Sequence, residues 1–268
     1  MVIPVHDVNP VRRTPWVTWA LIAANVVVFL LTPTAPASMT GAASLAQECR
    51  LEAFYARWAA IPTELVHNHP LALAPTGLTA LGPNGPGCVL AAPGYHKSPV
   101  LSALTAMFLH GSWLHLLGNM LFLYIFGNNV EDRFGRLRYL IFYIGCGLVA
   151  AYGFALANRN STEVLIGASG AIAGVLGAYL ILFPRTRVWS LLPFAFFIPL
   201  PLPAWVVLGG WFLLQWAYTS GWAVTSAGSV AYLAHIYGFL AGVIVALLVR
   251  AATDNNRRAP PPTTSYYR

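Results

Sequence analysis

Six stretches of the chain are apolar almost without interruption, and each approaches the length of about 20 helical residues that crosses a bilayer's hydrocarbon layer. They run Trp16 to Leu31, about Ser112 to Phe126, Tyr139 to Ala157, Val164 to Phe183, Ala204 to Thr219 and Val230 to Val249. Such a run predicts a helix bathed in lipid, because a helix satisfies its own backbone N–H and C=O groups where water is absent. Two further apolar stretches break the pattern. Val188 to Leu202 has Pro193, Pro199, Pro201 and Pro203 in or beside it, and Val100 to Leu109 runs into a polar His-Gly-Ser. Both read as interfacial or re-entrant pieces. The first run has a second reading: Arg12 and Arg13 before it and Ala35, Pro36 and Ala37 after it also suit a signal peptide with its cleavage site.

Composition points the same way, since 57% of the 268 residues are hydrophobic and 9% are charged. That balance belongs to an integral membrane protein. The expected fold class is an all-α membrane protein with six transmembrane helices. Charge then orients it, because segments rich in Lys and Arg stay cytoplasmic. With six spans and the N-terminus inside, eleven basic residues lie on the inner side: Arg12, Arg13, Arg133, Arg136, Arg138, Arg185, Arg187, Arg250, Arg257, Arg258 and Arg268. Arg50, Arg57, Lys97 and Arg159 lie outside. The eight acids divide evenly, so the whole net charge of +7 faces inward. A basic balance spread over short inner loops is accounted for by topology and anionic headgroups, and no nucleic-acid module is visible.

The expected organisation is a cytoplasmic N-terminal segment 1–15, a membrane domain 16–250 with an external loop 33–99, and a Pro-rich, disordered cytoplasmic tail 251–268. Both termini are then cytoplasmic. Cys49 and Cys88 share the external loop, and Cys146 lies in the third run. The shared compartment motivates a Cys49–Cys88 disulfide, worth roughly 4 kcal/mol by loop-closure entropy, while Cys146 reads as packing. His67 and His69 are two loop histidines with no third ligand, so no metal or cofactor is expected.

All eight acids fall outside the runs, which leaves His115, Asn119, Ser169, Gln215 and His235 as the polar side chains within them, with His110 at one mouth. A polar group inside a membrane is expensive enough to be a functional candidate. The second, fourth and sixth runs all go inward, and His110, His115, Ser169 and His235 stand near their outer ends, with Ser169 and His235 a turn or so in. Sequence-distant segments therefore bring a hydroxyl and imidazoles into one layer open to external water. Small residues say which helices meet. Gly170 with Gly174 and Gly238 with Gly242 are small-xxx-small steps that let backbones approach closely. His235, Gly238 and Gly242 share one helix face, and Ser169, Ala173 and Gly177 share another, so Ser169 and His235 are expected to meet across that seam.

A serine hydroxyl becomes a nucleophile when a base takes its proton, and His235 is the only histidine in the later runs. With no carboxylate to orient it, the expectation is a Ser-His dyad. Asn119, one turn from His115, and the Ser169 N–H near a helix N-terminus are candidate donors to an oxyanion. Gln215 reads as bonding a neighbouring helix, and Trp205, Trp211 and Trp216 as belt or packing residues. A transporter or channel would also place polar residues at depth, but it normally carries charge, broken helices or repeats, which this chain lacks.

Taken together, "HGSWLHLLGN", "GASG" and "AHIYGFLAG" resemble the signature of the rhomboid family of intramembrane serine proteases, in order and in spacing, over nearly the whole stretch from Trp16 to Val249. The resemblance implies a six-helix rhomboid-like bundle with a cavity open to the outside. It implies Ser169 as nucleophile, His235 as general base, and His115, Asn119 and the Ser169 N–H as the oxyanion site. His110, Gly167 and Gly170 take supporting places. It further implies single-span membrane protein substrates, with the lipid bilayer as medium. "GNNVEDRFGRLRY" resembles bacterial members in particular, which implies a bacterial plasma membrane. A catalytically dead relative would share the fold but would be expected to lack the Ser or the His.

The chain departs from the pattern in three places. Ala173 stands where many relatives have an aromatic residue stacking on the base, and Tyr237, two residues from His235, is the nearest aromatic in sequence to take that place. Leu101 and Ser102 replace a Trp-Arg pair, and Gly118 replaces a bulky residue before the oxyanion Asn. The outer position of the site leads to the expectation that substrates are cut near the external end of their span, after a small residue and beside a helix-breaking stretch.

Overall fold

The computed structural model describes residues 3–33, 44–82, 85–192, 198–220 and 232–258. Within them the chain is mostly helical. α1 is Trp16–Leu31, α5 is Trp113–Phe122, α6 is Asn128–Phe134, α7 is Arg136–Ala157, α8 is Ser169–Leu182, α9 is Ala204–Thr219 and α10 is Tyr232–Arg258. α7 and α10 are each long and apolar enough to cross a membrane. A third crossing is available if Pro99–Phe108 and Trp113–Phe134, bent by 84° at the His-Gly-Ser, count as one broken span. α1 and α8 are shorter apolar helices. Their outward faces carry bare Leu, Ile and Val: Val27 and Leu30 on α1, Leu137 and Ile141 on α7, Ile244 and Leu248 on α10. So much exposed apolar surface suits lipid and not water.

α8 forms the centre of the core, with Ala171, Ala173, Val175, Leu176, Ala178 and Tyr179 all buried. Its contact with α10 is made backbone to backbone. A Cβ on Gly238 would run into the Gly170 carbonyl oxygen, and one on Gly242 into the Gly174 carbonyl oxygen. On its other side Gly170 faces Ala150 and Gly174 faces Cys146, both of α7. The expected small-residue seam is thus a three-helix contact in which glycine is required at close approach. α1 is seated in the same core through Leu21 and Phe29, the latter edge-on to Trp113 at 4.8 Å. Its N-terminus is capped from α6, where Glu131 accepts from the N–H of Val17 at 3.0 Å and of Thr18 at 2.8 Å. Ala35–Ala37, the cleavage site of the signal-peptide reading, lies outside the described residues.

Two sheets depart from the all-α expectation. β1 (Ile3–Asp7), β4 (Arg187–Leu192) and β5 (Ile198–Pro203) form an antiparallel sheet in the order β1-β4-β5. The stretch expected to be interfacial or re-entrant is therefore a pair of strands. Prolines disguise β5, but Pro199, Pro201 and Pro203 fall on alternate positions of an edge strand. Their missing N–H groups would all have pointed away from β4, so the ladder loses nothing. The N-terminal segment contributes β1, anchored by Asp7. Burial raises that carboxyl above its ordinary value even though it accepts hydrogen bonds from Tyr179 Oη at 2.6 Å and Asn129 Nδ2 at 2.8 Å. Residues 251–258, expected to begin a disordered tail, continue α10, and 259–268 lie outside the described residues.

The described part of the segment between α1 and α5, expected to be an external loop, is folded. α2 (Leu45–Trp58) and α3 (Pro62–His67) lead to a hairpin of β2 (Ala74–Gly82) and β3 (Gly85–Ala91), followed by α4 (Pro99–Thr105). A Cys49–Cys88 disulfide, Cα–Cα 5.3 Å, staples α2 to β3 as the shared compartment suggested. A buried Lys97–Glu64 ion pair at 2.6 Å fastens the approach to α4 back onto α3. There burial pushes the Lys97 ammonium down from its ordinary value, against the pull of the Glu64 carboxylate.

Candidate active site

Three helix starts and one helix face build the site. α5 begins where it does because the Ser112 hydroxyl accepts from the His115 N–H at 3.1 Å, an N-cap that fixes how His115 leaves the helix. The Gly111 N–H makes a long contact of 3.5 Å to His115 Nδ1. With Nδ1 accepting, Nε2 carries the proton and is the donor. One turn on, Asn119 Nδ2 spends one N–H on the His115 carbonyl at 2.9 Å and retains a second. His110 packs edge-on to His115 at 5.0 Å, and its ring nitrogens are buried without a hydrogen-bond partner among the described residues.

The fourth run does not begin as helix. Leu165 pairs with Ala60 in a short bridge, its N–H donating at 2.7 Å and its carbonyl accepting at 3.3 Å, and the Gly167 N–H donates to the Ala106 carbonyl at 2.9 Å. Gly167 then turns the chain at φ +117°, a conformation that favours glycine. A Cβ at Gly167 would lie 2.8 Å from His115 Nε2 and 3.7 Å from Ser169 Oγ. Glycine is therefore what allows the His115 ring to stand beside Ser169. Ser169 is the first residue of α8, not a turn into it, and no side chain caps that end. The N–H groups of its first turn stay available to a ligand, and the helix dipole favours negative charge there.

The Ser169 hydroxyl and the His235 imidazole meet directly: His235 Nε2 is 2.7 Å from Ser169 Oγ. On the far side of the ring, His235 Nδ1 is 2.8 Å from Gln215 Oε1. If Ser169 donates to Nε2, then Nδ1 bears the proton and donates to the Gln215 oxygen, which gives one continuous chain of donors and acceptors. Trp211, one turn before Gln215 on α9, lies against the imidazole with ring centroids 5.8 Å apart and planes tilted 35°. Tyr232 meets the imidazole edge-on at 6.4 Å.

Ser169, His235, His115 and Gly167 thus come together. Gly170 serves the helix contact, and Asn119 sits one turn down from His115. The aromatic support absent at Ala173 comes from Trp211, while Tyr237 packs instead against Gly153 of α7. Gly118 leaves open space where a side chain would stand. Gln215 and Trp211 were missed as site residues. Their i, i+4 spacing on one apolar helix was the available signal.

A family model described as the Rhomboid domain matches residues 97–252, more than half of the chain and every residue of the site. Rhomboid protein 1, mitochondrial, of Saccharomyces cerevisiae is 31% identical over 148 residues, covering 54% of this chain and 40% of that protein. RHOMBOID-like protein 1 of Arabidopsis thaliana is 31% identical over 166 residues, covering 62% of this chain and 39% of its own. Rhomboid-like protein 11, chloroplastic, of the same plant is 41% identical over 86 residues, 30% of this chain and 29% of its own. The match therefore spans two fifths or less of each of these relatives.

Proposed function

The chain belongs to the rhomboid family, and on that premise we propose that it is an intramembrane serine endopeptidase acting through a Ser169–His235 dyad. The observation that carries the reading is the 2.7 Å contact between Ser169 Oγ and His235 Nε2. As Ser169 Oγ attacks a peptide carbonyl, its proton passes to His235 Nε2 and the carbonyl oxygen takes the negative charge. The Ser169 N–H, His115 Nε2–H and the second Asn119 N–H are the donors for that oxyanion, each worth roughly 3 to 4 kcal/mol of the barrier. Collapse breaks the C–N bond, and His235 returns the proton to the departing amine. Water then enters, deprotonated by His235, and frees Ser169 from the acyl group. No cofactor, metal or nucleic acid enters this scheme.

The topology proposed with it has six spans and both termini in the cytoplasm, supported by the charge asymmetry of the loops and by the sorting of the two ends. The Asp7–Tyr179 contact and the β1-β4-β5 sheet lie at the C-terminal end of α8, and the Ala60–Leu165 bridge at the other. At about 1.5 Å per residue the 14 residues of α8 span about 21 Å, well short of a ~30 Å hydrocarbon layer. With the inner end at the cytoplasmic surface, Ser169 is recessed by roughly 10 Å beneath the outer one. The bilayer and single-span membrane proteins are the partners of this reading, and the likeness of 127–139 to bacterial members supports a bacterial plasma membrane.

A recessed outer site fixes where a substrate is cut. A helical peptide bond is shielded and its carbonyl already bonded, so attack needs a locally unwound strand. Unwinding leaves backbone groups unsatisfied, and Gly or Pro near the cut lowers that penalty. Ala173 is buried in the core and the backbone of Gly170 lies against α10, and such close packing beside Ser169 suits a small side chain. Mass spectrometry of products from a designed single-span substrate should place the cut after a small residue in the outer third of the span. Cleavage in the cytoplasmic half, or faster cleavage once Gly and Pro are replaced by Leu, would contradict the reading.

A further inference from the structure

We propose that Gln215 is a positioning residue of the site, an uncharged third member that holds His235 through Nδ1 and accepts the hydrogen bond of the imidazolium formed when Ser169 gives up its proton. The inference rests on the protease reading and deepens it. Its basis is the 2.8 Å contact between Gln215 Oε1 and His235 Nδ1, on the side of the ring opposite Ser169. Gln215 is buried, so its amide has no ready exchange with water and its choice of partner matters.

Among the described residues, no other neighbour of His235 competes for the role. α8 presents Ser169, α9 presents Trp211 and Gln215, its own helix presents Tyr232, and the titratable group across the site is His115 of α5. No carboxylate among the described residues touches the ring. In soluble serine hydrolases an aspartate commonly fills this position, orienting the imidazole and stabilising its charged form. At this depth a carboxylate would add the desolvation cost of an ion, whereas an amide oxygen offers an acceptor without net charge. Trp211 completes the arrangement by bounding one face of the ring, so α9 constrains His235 both in its plane and against rotation.

Positioning and packing can be told apart. Gln215→Met keeps the length and removes the strong acceptor, while Gln215→Glu keeps the acceptor. Assayed on one single-span substrate in the full-length protein, Gln215→Met is expected to lower kcat about 10- to 100-fold with KM changed less than about twofold. Gln215→Glu is expected to retain kcat within about fivefold of wild type. Nitrogen-15 NMR of histidine-labelled wild type, with the His235 signals identified by their loss in His235→Ala, should show Nδ1 protonated and Nε2 accepting. A Gln215→Met enzyme with wild-type kcat, a Gln215→Glu enzyme as impaired as Gln215→Met, or an Nε2-protonated His235 in the wild type would each overturn the role. Those outcomes leave an active Ser169 enzyme standing. An inert wild type instead removes the protease reading, and the role of Gln215 with it.

Discussion

Ser169→Ala is expected to reduce cleavage by roughly 10⁴- to 10⁶-fold while leaving the protein folded. The substitution removes a single oxygen whose partner is His235 Nε2, so the structural loss is one hydrogen bond, about 1 kcal/mol. The chemical loss is far larger, because among the described residues no other hydroxyl meets the His235 imidazole. His235→Ala should match it, and the double variant should be no worse than either alone, since nucleophile and base act as one unit. His115→Ala and Asn119→Ala should leave measurable activity, reduced about 10²- to 10³-fold each, because each removes one oxyanion donor among several. Rates on a single-span substrate, paired with melting curves in detergent, separate these cases. A Ser169→Ala enzyme of wild-type rate would end the protease reading.

The second large effect is structural. Gly242→Val is expected to cost about 4 kcal/mol or more, enough to prevent recovery of folded protein. A Cβ at Gly242 collides with the Gly174 carbonyl oxygen and with the backbone atoms beside it. Backbone cannot swing aside as a side chain can, so α8 and α10 would have to part. Ser169 stands on one of these helices and His235 on the other, so their contact goes too. Gly209→Ala on α9 is the control, because a Cβ there meets nothing within 4 Å and alanine favours the helix by up to about 1 kcal/mol. Thermal unfolding of both variants checks the contrast. Equal stability would mean that the α8–α10 seam is not what holds the core.

The unequal legibility of the chain has physical reasons. α1, α7 and α9 follow their apolar runs closely because lipid leaves a backbone few alternatives. The meeting of Ser169 with His235 could be read from glycine spacing, since close helix contact in lipid demands small residues at fixed intervals. The start of α8 could not. Val164 to Ile166 are as apolar as the helix that follows, and what holds them out of it is a bridge from Leu165 to Ala60, more than 100 residues away. The β1-β4-β5 sheet was hidden by prolines that exclude an inner strand but suit an edge. Gln215 was hidden by its chemistry: the third member of such a site is usually sought as a carboxylate, and an amide in a membrane helix reads first as an interhelical hydrogen bond. Trp211 was hidden because a tryptophan on an apolar helix is most often a belt or packing residue.

The most direct test of the central claim, that Ser169 is activated by His235, is labelling with a serine-directed fluorophosphonate followed by mass spectrometry of the modified peptide. The expected result is one adduct per chain, on the Oγ of Ser169, absent from Ser169→Ala and strongly slowed in His235→Ala. A folded wild-type protein that takes up no label, or a Ser169→Ala variant labelled as fast as wild type, would contradict it.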